Sequence, residues 1–301
     1  MRSRWLGVFL ALSCAPAGAT LVSVDLISAG GTAHRWRDIA DNLYAPAYQG
    51  SFSYANASVR LEYETFGTTF TGRLVGDGLK PFFGYQLKFT APHFDPLMER
   101  LGYLGRWTWA GGPLNVSDAM YEANETNPTI SSFMVFDYAV TDASGHIDEP
   151  FAIDSTYHVL WRNGVTGVSG VAFPGPHDGY SIQTLVEPGR SPAGTYDGAP
   201  GPDTVNVFGE YEHTLGNVRP YPGELVMPSG DYALDFILTE ESFHGWRTDD
   251  GFWMTALQSP QNERITFTIG TAVVPEPGSL LLLLAGLSAV AARRKARPRR
   301  G

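Results

Sequence analysis

The sequence predicts an all-β chain, an antiparallel β-sandwich with a few short helices, flanked by an N-terminal signal helix and a C-terminal hydrophobic helix. Three observations lead there. Hydrophobic residues alternate with polar ones in several short runs, as in Val59, Leu61 and Tyr63 against Arg60, Glu62 and Glu64, the period of a strand that buries one face. Gly and Pro number 34 and 21 in 301 residues, which suits strands joined by tight turns. Helix signals are few and short, so no helical layer is available and sheet must pack on sheet.

The same alternation marks Tyr85, Leu87 and Phe89 against Gln86, Lys88 and Thr90, and Ile265, Phe267 and Ile269 against Thr266 and Thr268. Less regular strands are expected at 22–27, 51–55, 69–75, 132–140, 156–162, 204–213, 231–241 and 252–257. The run from Ser132 to Val140 is apolar on both faces and belongs in the middle of a sheet. Asp95, Pro96 and Gly102 bracket one short helix. Ser117 caps a second, and Trp36, Ile39, Ala40 and Leu43 have the spacing of a third.

Leu79-Lys80-Pro81-Phe82-Phe83-Gly84-Tyr85 has a leucine, proline and tyrosine spacing that resembles the tyrosine corner of fibronectin type III and related sandwiches. Pro228 and Tyr232 repeat the proline-to-tyrosine interval. Two corners raise the alternative of two sandwiches, divided in the Gly- and Pro-rich stretch 166–202 with the second beginning near 203. The right-hand piece is small for an independent core without disulfides. One body over 20–272 is therefore favoured.

Both ends carry addresses. Arg2 and Arg4, the apolar run Trp5 to Leu12 and the small residues Ala17-Gly18-Ala19 form a signal peptide over 1–19, cut by signal peptidase. Cys14, the single cysteine, lies inside it, and Leu12 stands two residues before it rather than the three of a lipoprotein signal. The exported part then has no thiol to form a disulfide. Residues 279–292 are uncharged, and six basic residues follow from Arg293 to Arg300. As a helix at ~1.5 Å per residue that run covers roughly 21 Å, short of a hydrocarbon core of ~30 Å. The basic cluster stays on the cytoplasmic side.

Val274-Pro275-Glu276-Pro277, the leucine-rich run, and Arg293, Arg294 and Lys295 together resemble the PEP-CTERM sorting signal of Gram-negative bacteria. The resemblance spans 273–301 and implies recognition and processing by an exosortase-type enzyme. It further implies passage through the inner membrane to the cell surface or extracellular space, in bacteria that make exopolysaccharide and biofilm.

Chemistry within the body is sparse. From Thr20 to Pro275 there are 13 lysines and arginines against 30 acidic residues, of which Lys80 and Lys88 are the only lysines. So negative a body repels phosphate backbones, and nucleic acid is not an expected partner. No His-Glu-x-x-His, Walker loop, nucleophile elbow or cysteine site occurs. Asp148-Glu149, Glu240-Glu241, Asp249-Asp250 and the alternating Glu210 and Glu212 are the carboxylate pairs a glycoside hydrolase would draw on, and solvated outer positions are the expectation for them. A histidine site would have to join His244 with His213 and Glu212. No cofactor is expected; calcium suits the turns at Asp142 to Gly145 and Asp197 to Asp203 better than zinc does, but Asx-type turns are the favoured reading there.

Tyr103, Trp107 and Trp109 are the sugar-stacking candidates, because alternate tryptophans on an extended segment share one face, although burial against the sandwich is the favoured reading for the tryptophans. The expected function is that of a non-enzymatic surface or matrix protein associated with exopolysaccharide or biofilm. The alternative is a secreted carbohydrate-active hydrolase.

Overall fold

The computed structural model describes residues 19–113, 115–163, 179–185, 191–200, 204–211, 219–220, 223–241 and 254–270, without the side chains of 158–163, 179–185 and 204–211. Residues 1–18 of the expected signal peptide and the tail from 271 onward, including Val274, Pro275, Glu276, Pro277, Arg293, Arg294, Lys295 and the apolar run 279–292, lie outside the described residues. The chain divides into two units, Met1–Ile269 and Gly270–Gly301. The β body belongs to the first.

In chain order the strands are β1 Leu21–Asp25, β2 Ile27–Ser28, β3 Ser58–Glu64, β4 Phe66–Gly67, β5 Thr71–Asp77, β6 Gly84–Ala91, β7 Arg106–Trp109 and β8 Ile130–Val140. They continue with β9 Ile147–Ala152, β10 Tyr157–Asn163, β11 Gly179–Leu185, β12 Thr204–Tyr211, β13 Gly230–Glu240, β14 Thr255–Gln258 and β15 Ile265–Ile269. Three short helices, α1 Pro46–Ser51, α2 Met98–Leu104 and α3 Asp118–Glu122, and a 3-10 turn at Tyr54–Asn56 complete the elements.

Two sheets form the sandwich. The smaller has the order β1-β3-β5-β9. The larger runs β11-β12-β10-β8-β6-β13-β14-β2, with β7 beside β8 and β15 beside β13. All pairings are antiparallel except the short contact of β4 with β15. The strands on either side of residue 203 share this sheet, since β12 pairs with β10 and β13 with β6. The stretch 166–202 contains β11, paired along its length with β12.

Alternation dictates what meets between the sheets. From the small sheet Val59, Leu61, Tyr63, Leu74, Ile147 and Phe151 turn inward, and from the large one Leu87, Phe89, Phe136, Leu234, Phe236 and Phe267. Ile39, Ala40, Phe82, Val135, Tyr138 and Tyr157 form a second buried cluster. Val135 and Met134 are neighbours on β8 and enter different clusters, which is why this strand is apolar on both faces. It lies centrally, between β6 and β10.

Several local expectations are corrected. Residues 36–43 form no helix: Asp38 accepts hydrogen bonds from the backbone N–H groups of Ala40 and Asn42, and Arg37 bridges to Leu43. The apolar spacing there serves two clusters, Trp36 packing on the first while Ile39 and Ala40 fill the second. Residues 51–55 are not a strand, because the Ser53 hydroxyl caps the 3-10 turn through Ala55 N–H. The polar face of β6 is not solvated either. Gln86 and Lys88 are buried along with Tyr85, Leu87 and Phe89.

Candidate functional site

The three sugar-stacking candidates part company. Trp107 is 1% exposed, stacked on Tyr121 at a centroid distance of 3.6 Å and an interplanar angle of 8°. Its indole N–H donates to Asp118 at 2.8 Å. Arg219 holds the same carboxylate at 2.9 Å and donates to the carbonyls of Gly102 and Gly105. A flat exposed face of Trp107 and Trp109 therefore does not exist: the first ring is a core residue, because β7 lies under α2 and α3. Tyr103 is 37% exposed and meets Trp107 edge-on, and Trp109 is half-buried.

Because that indole is fixed on two sides, the helix above it tolerates no added atom. A Cβ at Gly102 would stand 2.2 Å from the Trp107 ring. Gly102→Ala is expected to cost about 1–3 kcal/mol through overpacking, read as a lower urea midpoint. The same cluster titrates. Burial raises the Asp118 pKa, but hydrogen bonds from Arg219 and Trp107 outweigh it and hold the carboxyl below its ordinary 3.8. A carboxylate depressed in the folded state contributes stability that is present above the unfolded value and lost as pH falls through the folded one. Stability is thus expected to drop as pH is lowered below about 4, and less steeply in Asp118→Asn, by urea titration at each pH.

Among the described residues the candidate carboxylate pairs do not converge on one site. Asp148 pairs with Arg73, whereas its neighbour Glu149 is half-buried. The Asp142 Oδ1 accepts from Ser144 N–H, Ser144 hydroxyl and His146 N–H at 2.7–2.9 Å, the geometry of the Asx turn favoured for this segment. Gly145 belongs to it at φ 79°, where a Cβ would meet the Leu79 carbonyl at 2.0 Å. Among the described residues no group of three His, Cys, Asp or Glu side chains is placed to hold a metal. Asp197 is exposed and its N–H donates to Leu43 O; Glu212, His213, His244, Asp249, Asp250 and Asp203 lie outside the described residues, as do the side chains of His158 and Glu210.

The most concentrated chemistry lies where the sequence suggested solvated charge. Glu240 ends β13 and stands opposite Tyr85 at the start of β6. It is 0% exposed, as is Lys80 from the turn before β6, and the two ion-pair at 2.6 Å. Glu240 Oε1 also accepts from Tyr54 hydroxyl at 2.8 Å and contacts His34 Nδ1 at 2.9 Å, while Oε2 accepts from Arg35 N–H at 2.6 Å. The Lys80 ammonium donates to the Arg35 carbonyl as well. It lies 4.4 Å from the Trp36 ring and 4.6 Å from that of Phe83, with Tyr54 and Phe52 beyond, so aromatic faces replace water around the cation.

The first proline-to-tyrosine segment is built into this cage. Tyr85 hydroxyl accepts from Lys80 N–H at 3.1 Å and meets Tyr54 hydroxyl at 3.0 Å, and buried Leu79 and Pro81 set the turn. At the second, Tyr232 hydroxyl donates to Pro228 carbonyl at 2.7 Å. Burial pushes Lys80 down to about 8 against the raising effect of Glu240. Burial also raises Glu240, but His34 and Lys80 outweigh it and hold the carboxyl below 4.5. The ion pair is therefore the resting form. Lys88, on the buried polar face of β6, is pushed down by burial to about 7 and is partnered electrostatically by Glu241.

The tail matches a known sorting motif. The family model of the PEP-CTERM protein-sorting motif covers residues 273–295, taking in Val274 to Pro277 and Arg293 to Lys295. The chain carries a PEP-CTERM sorting motif. Such motifs are recognised by exosortase-type processing enzymes, so this is an exported protein sorted toward the cell surface. No curated protein and no solved structure matches the chain, and the fibronectin-like resemblance is without that support. Among the described residues no helix is long and apolar enough to cross a membrane; the apolar run within the PEP-CTERM motif is not among them.

Proposed function

We propose that the chain is a non-enzymatic protein of the cell surface or extracellular matrix, released from a transient inner-membrane tether by an exosortase-type enzyme and associated with exopolysaccharide or biofilm. The observation that carries this reading is the PEP-CTERM motif at 273–295, ending in basic residues that favour the cytoplasmic side. The divergence of the described carboxylates favours it over a hydrolase, which needs two carboxyl groups flanking one bond. Lys80 and Glu240 are buried away from any polymer. Tyr103 and Trp109 are the two sugar-stacking candidates that retain solvent-accessible edges.

Mass spectrometry of the surface form is expected to find the segment from Arg293 onward removed; an intact Arg300 on surface protein would contradict sorting by cleavage. Pull-down with the producing cell's exopolysaccharide is expected to retain the body, and the Tyr103→Ala, Trp109→Ala double variant to bind about tenfold more weakly, in line with stacking worth about 1–1.5 kcal/mol. Absence of binding, together with unchanged matrix in a deletion strain, would overturn the matrix role. Turnover on a glycan panel would restore the hydrolase.

A further inference from the structure

Between the signal peptide and the tail the chain carries eleven arginines but only two lysines, Lys80 and Lys88, and both lysines are buried. Arginine at position 80 would keep a charge and offer more donors to a carboxylate. What lysine offers instead is a primary amine that gives up its proton in dry surroundings and then bears a nucleophilic lone pair. That amine stands 2.6 Å from a carboxyl oxygen, with neither side chain exposed.

The surroundings favour attack on the carboxyl carbon. Tyr54 hydroxyl and His34 Nδ1 are directed at Oε1 of Glu240, and Arg35 N–H at Oε2. Fixed donors of this kind polarise a carbonyl and hold the negative charge that develops on oxygen when it is attacked. Burial fixes the two reactants side by side and keeps water out. Joining them also removes two charges whose desolvation opposes the folded state.

We propose that Lys80 and Glu240 are a self-cross-linking pair, whose side chains condense to an isopeptide bond. A proton passes from Nζ to the carboxylate along their hydrogen bond, giving a neutral amine and a carboxylic acid. The Nζ lone pair attacks Cδ and forms the C–N bond, with His34 and Tyr54 holding the oxyanion. One C–O bond then breaks, and its hydroxyl leaves with a proton from Nζ as water. Nothing is oxidised or reduced, and no co-reactant is needed. The lowered basicity of the buried amine eases the first step.

The product would tie the turn before β6 to the end of β13 across 160 residues of sequence. It would do for this chain what a disulfide does elsewhere, in a body left without a thiol once Cys14 is removed with the signal.

The test is the mass of the full wild-type chain, recovered after export, with its two ends mapped and then denatured. The expected mass is one water below that of the sequence, and proteolysis is expected to release a branched peptide joining the Lys80 and Glu240 segments. A branched fraction that grows while folded protein is incubated also supports the proposal. Lys80→Arg is expected to show the full mass and a linear map. Wild-type protein of full sequence mass whose Lys80 amine is acylated on denaturation would overturn it, as would a water lost elsewhere beside an unbranched Lys80 peptide. The wild-type measurement decides even where the variant fails to fold.

Discussion

Glu240→Ala is expected to destabilise the body by about 3–5 kcal/mol, the cost of leaving a buried charge without its partner. The truncation strands the Lys80 ammonium at 0% exposure and takes the acceptor from Tyr54 hydroxyl, His34 and Arg35 N–H at once. The urea midpoint should fall steeply with little change in the slope. Lys80→Met should cost less, because the carboxylate keeps three donors from the protein. The double variant Lys80→Met, Glu240→Leu separates two kinds of contribution: a buried ion pair replaced by apolar groups of similar volume is often neutral or stabilising. If the pair is only ionic, the double variant returns close to wild type. If it is covalent, the double variant stays below wild type, because the cross-link's constraint on the unfolded chain is gone.

The burial of this pair is not written in the local sequence pattern. Alternation located β3, β6 and β15 well, because a strand with one buried face writes that face into every second residue. The same rule misplaced the polar residues of β6 and the end of β13. Gln86 and Lys88 sit in outward-reading positions and Glu240 and Glu241 form an acidic pair expected in solvent, yet all four are buried, since β6 and β13 are interior strands of a wide sheet. A polar residue in a strand signals solvent only when nothing covers that side. Lysine usage was the available clue, two in the body and both in aromatic or apolar neighbourhoods, but the partner of Lys80 lies 160 residues away and only the pairing of Tyr85 with Glu240 brings it near. Trp107 is buried, as its favoured reading had it, but its partners were not legible. Its spacing from Trp109 was legible, whereas the cover supplied by Tyr121 and the anchor at Asp118 depend on how α3 returns over β7.

The second large effect is expected where the two sheets meet. Phe70 lies just before β5, 0% exposed, and its ring is surrounded by five others: Tyr63 and Phe151 of the small sheet at 5.5 and 5.4 Å, and Phe89, Phe136 and Phe267 of the large sheet at 5.0, 6.0 and 4.4 Å. Phe70→Ala is expected to cost about 3–5 kcal/mol, from lost burial and from a cavity. The cavity should persist rather than collapse, because the surrounding rings hang from hydrogen-bonded strands on both layers. Phe70→Leu should cost less than about 1.5 kcal/mol if repacking absorbs the change of shape, both values being read from urea titration. With no cysteine between residues 20 and 272, these aromatic contacts must close the sandwich, with the Lys80–Glu240 ion pair joining the turn before β6 to the end of β13.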